Sequence, residues 1–273
     1  MELGDLLYAG RELVEGELHT LGVGLAAVFT ARCPDSEDLN EDCCAVIPYD
    51  EDSGILVIAD GAGGLPNGDK ASEITIHALH EAMRTARENG TDLRSAVLDG
   101  IEKAHAEVMA LGVGAGTTLA VAQLQGQTLR TYHVGDSQIM VVGQKGKIKL
   151  ATMSHSPVGY AIEAGLLEEK DALMHEERHL VSNLIGQASM HIEMGTPVEI
   201  SARDTVILAS DGLFDNLSMD EIAELCRAGP LLGMTSNLAE AAKSRMTDPQ
   251  EFQPSKPDDL TFICYRRRVS AAP

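Results

Sequence analysis

Three apolar runs in this chain, 55–59 (ILVIA), 206–209 (VILA) and 260–264 (LTFIC), each stop or start at an aspartate. Short apolar runs bounded by turn residues read as core strands. Asp60 then closes one strand, Asp211 follows Ser210 at the end of a second, and Asp259 opens a third. A fourth acidic motif, Asn40-Glu41-Asp42, precedes the first of these strands. Carboxylates placed at rigid strand ends suit hard cations such as Mg²⁺ or Mn²⁺, which take oxygen ligands.

The remaining pattern supplies layers to cover such strands. Ala71, Ile74, Ala78 and Ala82, with Leu79 and Met83, recur at helical spacing before Asn89-Gly90. A second helix follows, capped by Asp92, with Leu93, Val97, Ile101, Ala104 and Val108 on one face. Paired runs across Gly126-Gln127 and across 143–146 are hairpin signals, and consecutive hairpins favour antiparallel sheet. Another helix pair is expected near 219–228 and 237–246, and a proline-bearing loop at 248–257. The first twenty residues form no convincing element beyond an arm or lead-in strand. The expected fold is α+β, a four-layer α-β-β-α sandwich of two antiparallel sheets flanked by helices.

A net charge of −21 excludes nucleic acid and anionic membrane as natural partners, because affinity for either depends on Lys and Arg. The five cysteines lack C-x-x-C spacing, and the start of the chain has no signal-like stretch, which points to a reducing, cytoplasmic setting with free thiols. Cys43 and Cys44 are adjacent, so a strand would send them to opposite faces.

In their order, Asn40-Glu41-Asp42, Asp60-Gly61-Ala62-Gly63-Gly64, Gly116-Thr117-Thr118, Gly135-Asp136-Ser137, His155-Ser156, Ser210-Asp211-Gly212 and Pro257-Asp258-Asp259 resemble the metal-dependent serine/threonine protein phosphatases of type 2C. The resemblance spans about 21–265, and its small size and Ala62 are more similar to bacterial members. It implies one catalytic domain over 1–273, with a flap-like insertion at about 154–190. It also implies hydrolysis of phosphoserine and phosphothreonine in proteins by a water activated at two Mn²⁺ or Mg²⁺ ions. A catalytically silent relative that binds phosphoproteins or a kinase is the alternative.

The resemblance also assigns roles. Asp60 would bridge the two ions with the Gly61 carbonyl beside it, Asp211 and Asp259 would complete the shell, and Asp42 would act through water from farther out. Asp136 would hold a third, weaker ion. Ala62 stands where many eukaryotic members carry a proton-transferring histidine, leaving His133 and His155 as substitutes, each with a structural role as the simpler reading. Arg32, ten residues before Asp42, is the arginine available to grip phosphate. Phosphorylated proteins would be the substrates and a cognate serine/threonine kinase the opposing partner.

Overall fold

The computed structural model describes residues 6–268. One antiparallel sheet carries β1 (Leu6–Ala9), β4 (Asp42–Pro48), β5 (Ser53–Asp60), β6 (Leu119–Gln125) and β7 (Thr128–Val134), with β10 (Glu193–Met194) and β11 (Val198–Glu199) both paired to β7. The other runs β2 (Glu17–Leu21), β3 (Gly24–Ala31), β13 (Leu260–Arg267), β12 (Thr205–Ala209), β8 (Gln138–Val142) and β9 (Ile148–Ala151). Helices α1 (Gly68–Asn89) and α2 (Leu93–Ala110) cover the first sheet. The second is covered by α5 (Asp211–Phe214), α6 (Met219–Cys226) and α7 (Leu231–Thr247). Between β9 and β10 the chain forms α3 (Pro157–Glu163), α4 (Glu169–Ala172) and a 3-10 turn, Glu176–His179.

Strand periodicity explains the layers. Cys43, Ala45 and Ile47 of β4 face the α1–α2 layer, while Cys44 and Val46 face the space between the sheets. Ile207 and Ala209 of β12 turn toward the second helical layer, and Val206 and Leu208 turn between the sheets. Each face has a partner, so these antiparallel strands read as continuous apolar runs. Each fully buried Val, Leu or Ile contributes about 1.5–3 kcal/mol, which opposes the entropy of ordering the chain. The Asp92 side chain accepts from the Ser95 N–H as the N-cap of α2, and Gly90 ends α1 at φ 68°.

Of the first twenty residues, 1–5 lie outside the described residues, and 6–20 hold more structure than their pattern suggests. Leu6–Ala9 pairs with β4 and Glu17–Leu21 with β3, one strand at an edge of each sheet. Their burial comes from tertiary pairing: Tyr8 inserts between the sheets, and its hydroxyl donates to Glu17 at 2.6 Å. Helix α7 starts at Leu231, earlier than expected near 237, because Leu231 and Met234 already pack into the core.

The topology brings distant acidic motifs to one end of the sandwich. Asp42 and Asp60 are register partners where β4 begins and β5 ends. The end of β12 pairs with Phe262 of β13 on one side and Gln138 of β8 on the other. Asp136, Asp211 and Asp258 therefore emerge from neighbouring strand ends.

Candidate metal centre

Asp60 is fixed through its backbone. Its N–H donates to the Thr118 hydroxyl at 3.1 Å, and its carbonyl accepts from the Thr117 hydroxyl at 2.7 Å and the Thr118 N–H at 2.8 Å. The Thr118 hydroxyl also lies 2.6 Å from that of Ser137, tying Asp60 to the turn that carries Asp136. Gly61 donates its N–H to the Glu41 carbonyl at 3.2 Å. A Cβ on Gly61 would lie 2.5 Å from the Gly68 backbone at the start of α1, so only glycine fits there. The same holds for Gly212, whose Cβ would meet the Asp259 carbonyl at 1.9 Å. These glycines let the two acidic turns close onto their neighbours.

Asp42 is 1% exposed, and its Oδ2 accepts from the Ser210 hydroxyl at 2.8 Å. It is anchored beside Asp60, its register partner across β4 and β5. Asp211 begins α5, and its carboxylate contacts the ammonium of Lys256. That ammonium is also 3.1 Å from Asp215 and 3.0 Å from Asp258.

The two acids of Pro257-Asp258-Asp259 part company. Both oxygens of Asp259 accept backbone N–H groups, from Cys33 and from Glu41, each at 2.7 Å. Asp259 thus pins the loop after β3 and the turn before β4, whereas Asp258 faces Lys256 and the group around Asp211. The resemblance assigns the ligand to Asp259; here both Asp259 oxygens accept backbone N–H groups, and Asp258 is the acid directed toward Lys256 and Asp211. Arg32, one residue before the clamped Cys33, is half-exposed and pairs with Glu12 at 3.0 Å.

The electrostatics suit cations. Burial pushes Asp60 well above the usual carboxylate range, and Asp42, Asp211, Asp258 and Asp136 add to the effect. Burial, then Asp211 and Asp215, raise Asp136 in the same direction. Asp258 is pushed up to about 7 and Asp215 to about 6, in both cases by burial and then Asp211, with Lys256 acting the other way. Crowded oxygen donors that resist ionising together fit a site for divalent ions.

This crowding has a testable consequence. Asp215 and Asp258 ionise near 3.8 in the unfolded chain, so the metal-free fold holds more protons between about pH 4 and 7. Their contribution to stability is present below that window and is lost as pH rises through it. Divalent ions replace those protons. The rise in melting temperature on adding Mn²⁺, followed by calorimetry, is expected to be larger near pH 8 than near pH 5.5, and an equal or smaller rise would contradict this electrostatic account.

His133, His155 and Glu193 form another group, whose potential ligand atoms all lie within 4.8 Å of one another. The hydrogen bonds make it a joint. His155 Nδ1 accepts from the Gly135 N–H at 3.1 Å and from Asn183 at 2.9 Å, so Nε2 carries the proton and donates to Glu193 at 3.2 Å. His133 Nε2 donates to the Met153 carbonyl at 2.8 Å. Burial, with His155 next, lowers His133 to about 4, which suits a neutral ring. The two ends of the 154–190 segment are held here against the Asp136 turn. Beneath that segment lies a cleft of about 280 Å³, lined by Asp136, Asp211 and Asp215 at one end and by Val158, Ile162 and Phe214 elsewhere.

Comparisons with known proteins bear on the family and the fold. Residues 31–245 match the family described as protein phosphatase 2C. A serine/threonine phosphatase, Stp, of Listeria welshimeri is 28% identical, the match covering 84% of this chain and 91% of that protein. The solved serine/threonine phosphatase of S. agalactiae is 27% identical with a TM-score of 0.75, covering 88% of this chain and 98% of its own. The catalytic domain of the phosphatase PstP, solved with two manganese ions, has a TM-score of 0.68 at 24% identity, covering 89% of this chain and 98% of its own.

Proposed function

The chain belongs to the protein phosphatase 2C family, and on that premise we propose that it removes phosphate from phosphoserine and phosphothreonine in proteins, using Mn²⁺ or Mg²⁺. The observation that carries this reading is the convergence of Asp60, Asp136, Asp211 and Asp258 from separate strand ends onto one site. When bound, two such ions would activate the attacking water and neutralise the phosphoryl oxygens.

The chain's own residues would divide the remaining work. Asp60, Asp211 and Asp258 would hold the ions, with the Gly61 carbonyl beside Asp60 and Asp136 on the cleft side. Asp42 would orient the centre from behind, through its hydrogen bond with Ser210. The whole chain is read as one catalytic domain, whose 154–190 segment forms a wall over the cleft and selects what enters. Ala62 cannot transfer a proton, and His133 and His155 are engaged in structural bonds, so the leaving group would take its proton from solvent.

A phosphorylated protein, the product of a serine/threonine kinase, is the substrate class this reading assigns, and a cytoplasmic setting accords with five free cysteines. No helix among the described residues is long and apolar enough to cross a membrane. Hydrolysis of a phosphothreonine peptide, with Mn²⁺ and with chelator, tests the function. Turnover that needs Mn²⁺ supports it, and binding of the peptide without turnover would instead indicate a silent relative.

Arg32 remains the candidate for gripping phosphate. Its exposed pair with Glu12 is worth about 1 kcal/mol or less, so substrate can outcompete it. Arg32→Ala is expected to raise KM several-fold with a smaller fall in kcat, on the order of 1–2 kcal/mol in kcat/KM. An unchanged KM for phosphopeptide would make Arg32 an ordinary surface residue.

A further inference from the structure

Lys256 sets its ammonium against three acids of the cluster, and the backbone around it holds it there. The buried Asn216 brackets it, accepting from the Lys256 N–H at 2.8 Å and donating to its carbonyl at 2.8 Å. Arg178, from the 154–190 segment, donates to the preceding Ser255 carbonyl at 2.7 Å. The ammonium so delivered meets carboxylates from two places in the chain: Asp211 and Asp215 around α5, and Asp258 before β13. Asp215 Oδ2 has no hydrogen-bond partner and relies on this charge contact, 3.1 Å long.

We infer that the Lys256 ammonium is a built-in third cation of the centre. It occupies the space among Asp211, Asp215 and Asp258, next to Asp136, that would otherwise admit a third and weaker divalent ion. The inference rests on the two-ion reading above and deepens it. Charge supports it: the ammonium lies against three of the carboxylates, Asp211, Asp215 and Asp258, and opposes the upward shift of Asp136, Asp215 and Asp258. A resident lysine lacks the exchange that limits a weak metal site, so the enzyme needs only the two tighter ions from solution. Because Asn216 holds the lysine's backbone and Arg178 holds the preceding Ser255 carbonyl, the 154–190 segment and the metal centre are also mechanically joined.

The test counts ions. Mn²⁺ is titrated into the wild-type chain, Lys256→Met and Lys256→Arg by calorimetry, with bound metal measured independently by mass spectrometry. The expected result is two ions in wild type and in Lys256→Arg. Lys256→Met should take three, the third about tenfold weaker or more, since its carboxylates already share their charge with the first two. Adding Asp136→Asn to Lys256→Met should return the count to two. Three ions in wild type, or two in Lys256→Met with unchanged affinities, would overturn the inference while leaving the phosphatase reading intact. No ion bound to the folded wild type would remove the two-ion reading itself. Should Lys256→Met fail to fold, a wild-type crystal soaked in Mn²⁺ decides: Nζ density against Asp215 beside two manganese peaks supports the inference, and a third anomalous peak in place of Nζ refutes it.

Discussion

Asp60→Asn is expected to cost at least about a thousandfold in kcat/KM, roughly 4 kcal/mol, because it removes the charge placed to hold both ions while keeping the side chain's shape. The fold should survive. Asp60 is held by backbone bonds to Thr117 and Thr118, none of which involves its carboxylate. Loss of a crowded carboxylate should even raise the melting temperature of the metal-free protein, since Asp60 resists ionising among Asp42, Asp211, Asp258 and Asp136. Activity and metal-free stability are thus expected to move in opposite directions. Near-parental turnover in Mn²⁺, or a large fall in metal-free stability, would mean that Asp60 is a structural residue.

The adjacent acids before β13 give the second large effect, and it separates them. Asp258→Ala is expected to lower kcat/KM by about a hundredfold or more, since it removes a site carboxylate, and to leave metal-free stability level or higher. Asp259→Ala should do the reverse. It strips the acceptor from two backbone N–H groups, at Cys33 and Glu41, at a cost of about 3 kcal/mol. For a domain of this size that is a fall of roughly 6–10 °C in melting temperature. Turnover of Asp259→Ala well below its melting point should drop far less than that of Asp258→Ala. If Asp259→Ala instead loses metal and keeps its stability, the two roles are interchanged.

That pair also shows where sequence reasoning runs out. The apolar runs at 55–59, 206–209 and 260–264 predict strands because a run buried on both faces carries its signal in composition. Helix α2 is readable from Asp92 and the spacing of Leu93, Val97 and Ile101, all local features. The opposite facing of Cys43 and Cys44 follows from strand geometry alone, and they do lie in different core layers. Asp258 and Asp259 sit in irregular chain just before β13, where no periodicity says which side chain points inward. The contacts that decide it, with Cys33 and Glu41 on one side and Lys256 on the other, come from other parts of the chain or from the path of the loop. The strands at Leu6–Ala9 and Glu17–Leu21 were hidden for a related reason, since each exists only by pairing at a sheet edge. Lys256 gave one faint signal, a lysine flanked by acidic motifs in a strongly acidic chain, and only the fold shows it among three carboxylates.

Crystals grown with Mn²⁺ and measured at the manganese absorption edge test the central claim most directly. The account predicts two anomalous peaks about 3.5–4 Å apart, the spacing of a two-ion hydrolytic centre, among Asp60, Asp211 and Asp258, with Asp259 still on the backbone N–H groups of Cys33 and Glu41. A map with no peak among those acids, or with manganese seated instead on His133, His155 and Glu193, would contradict it.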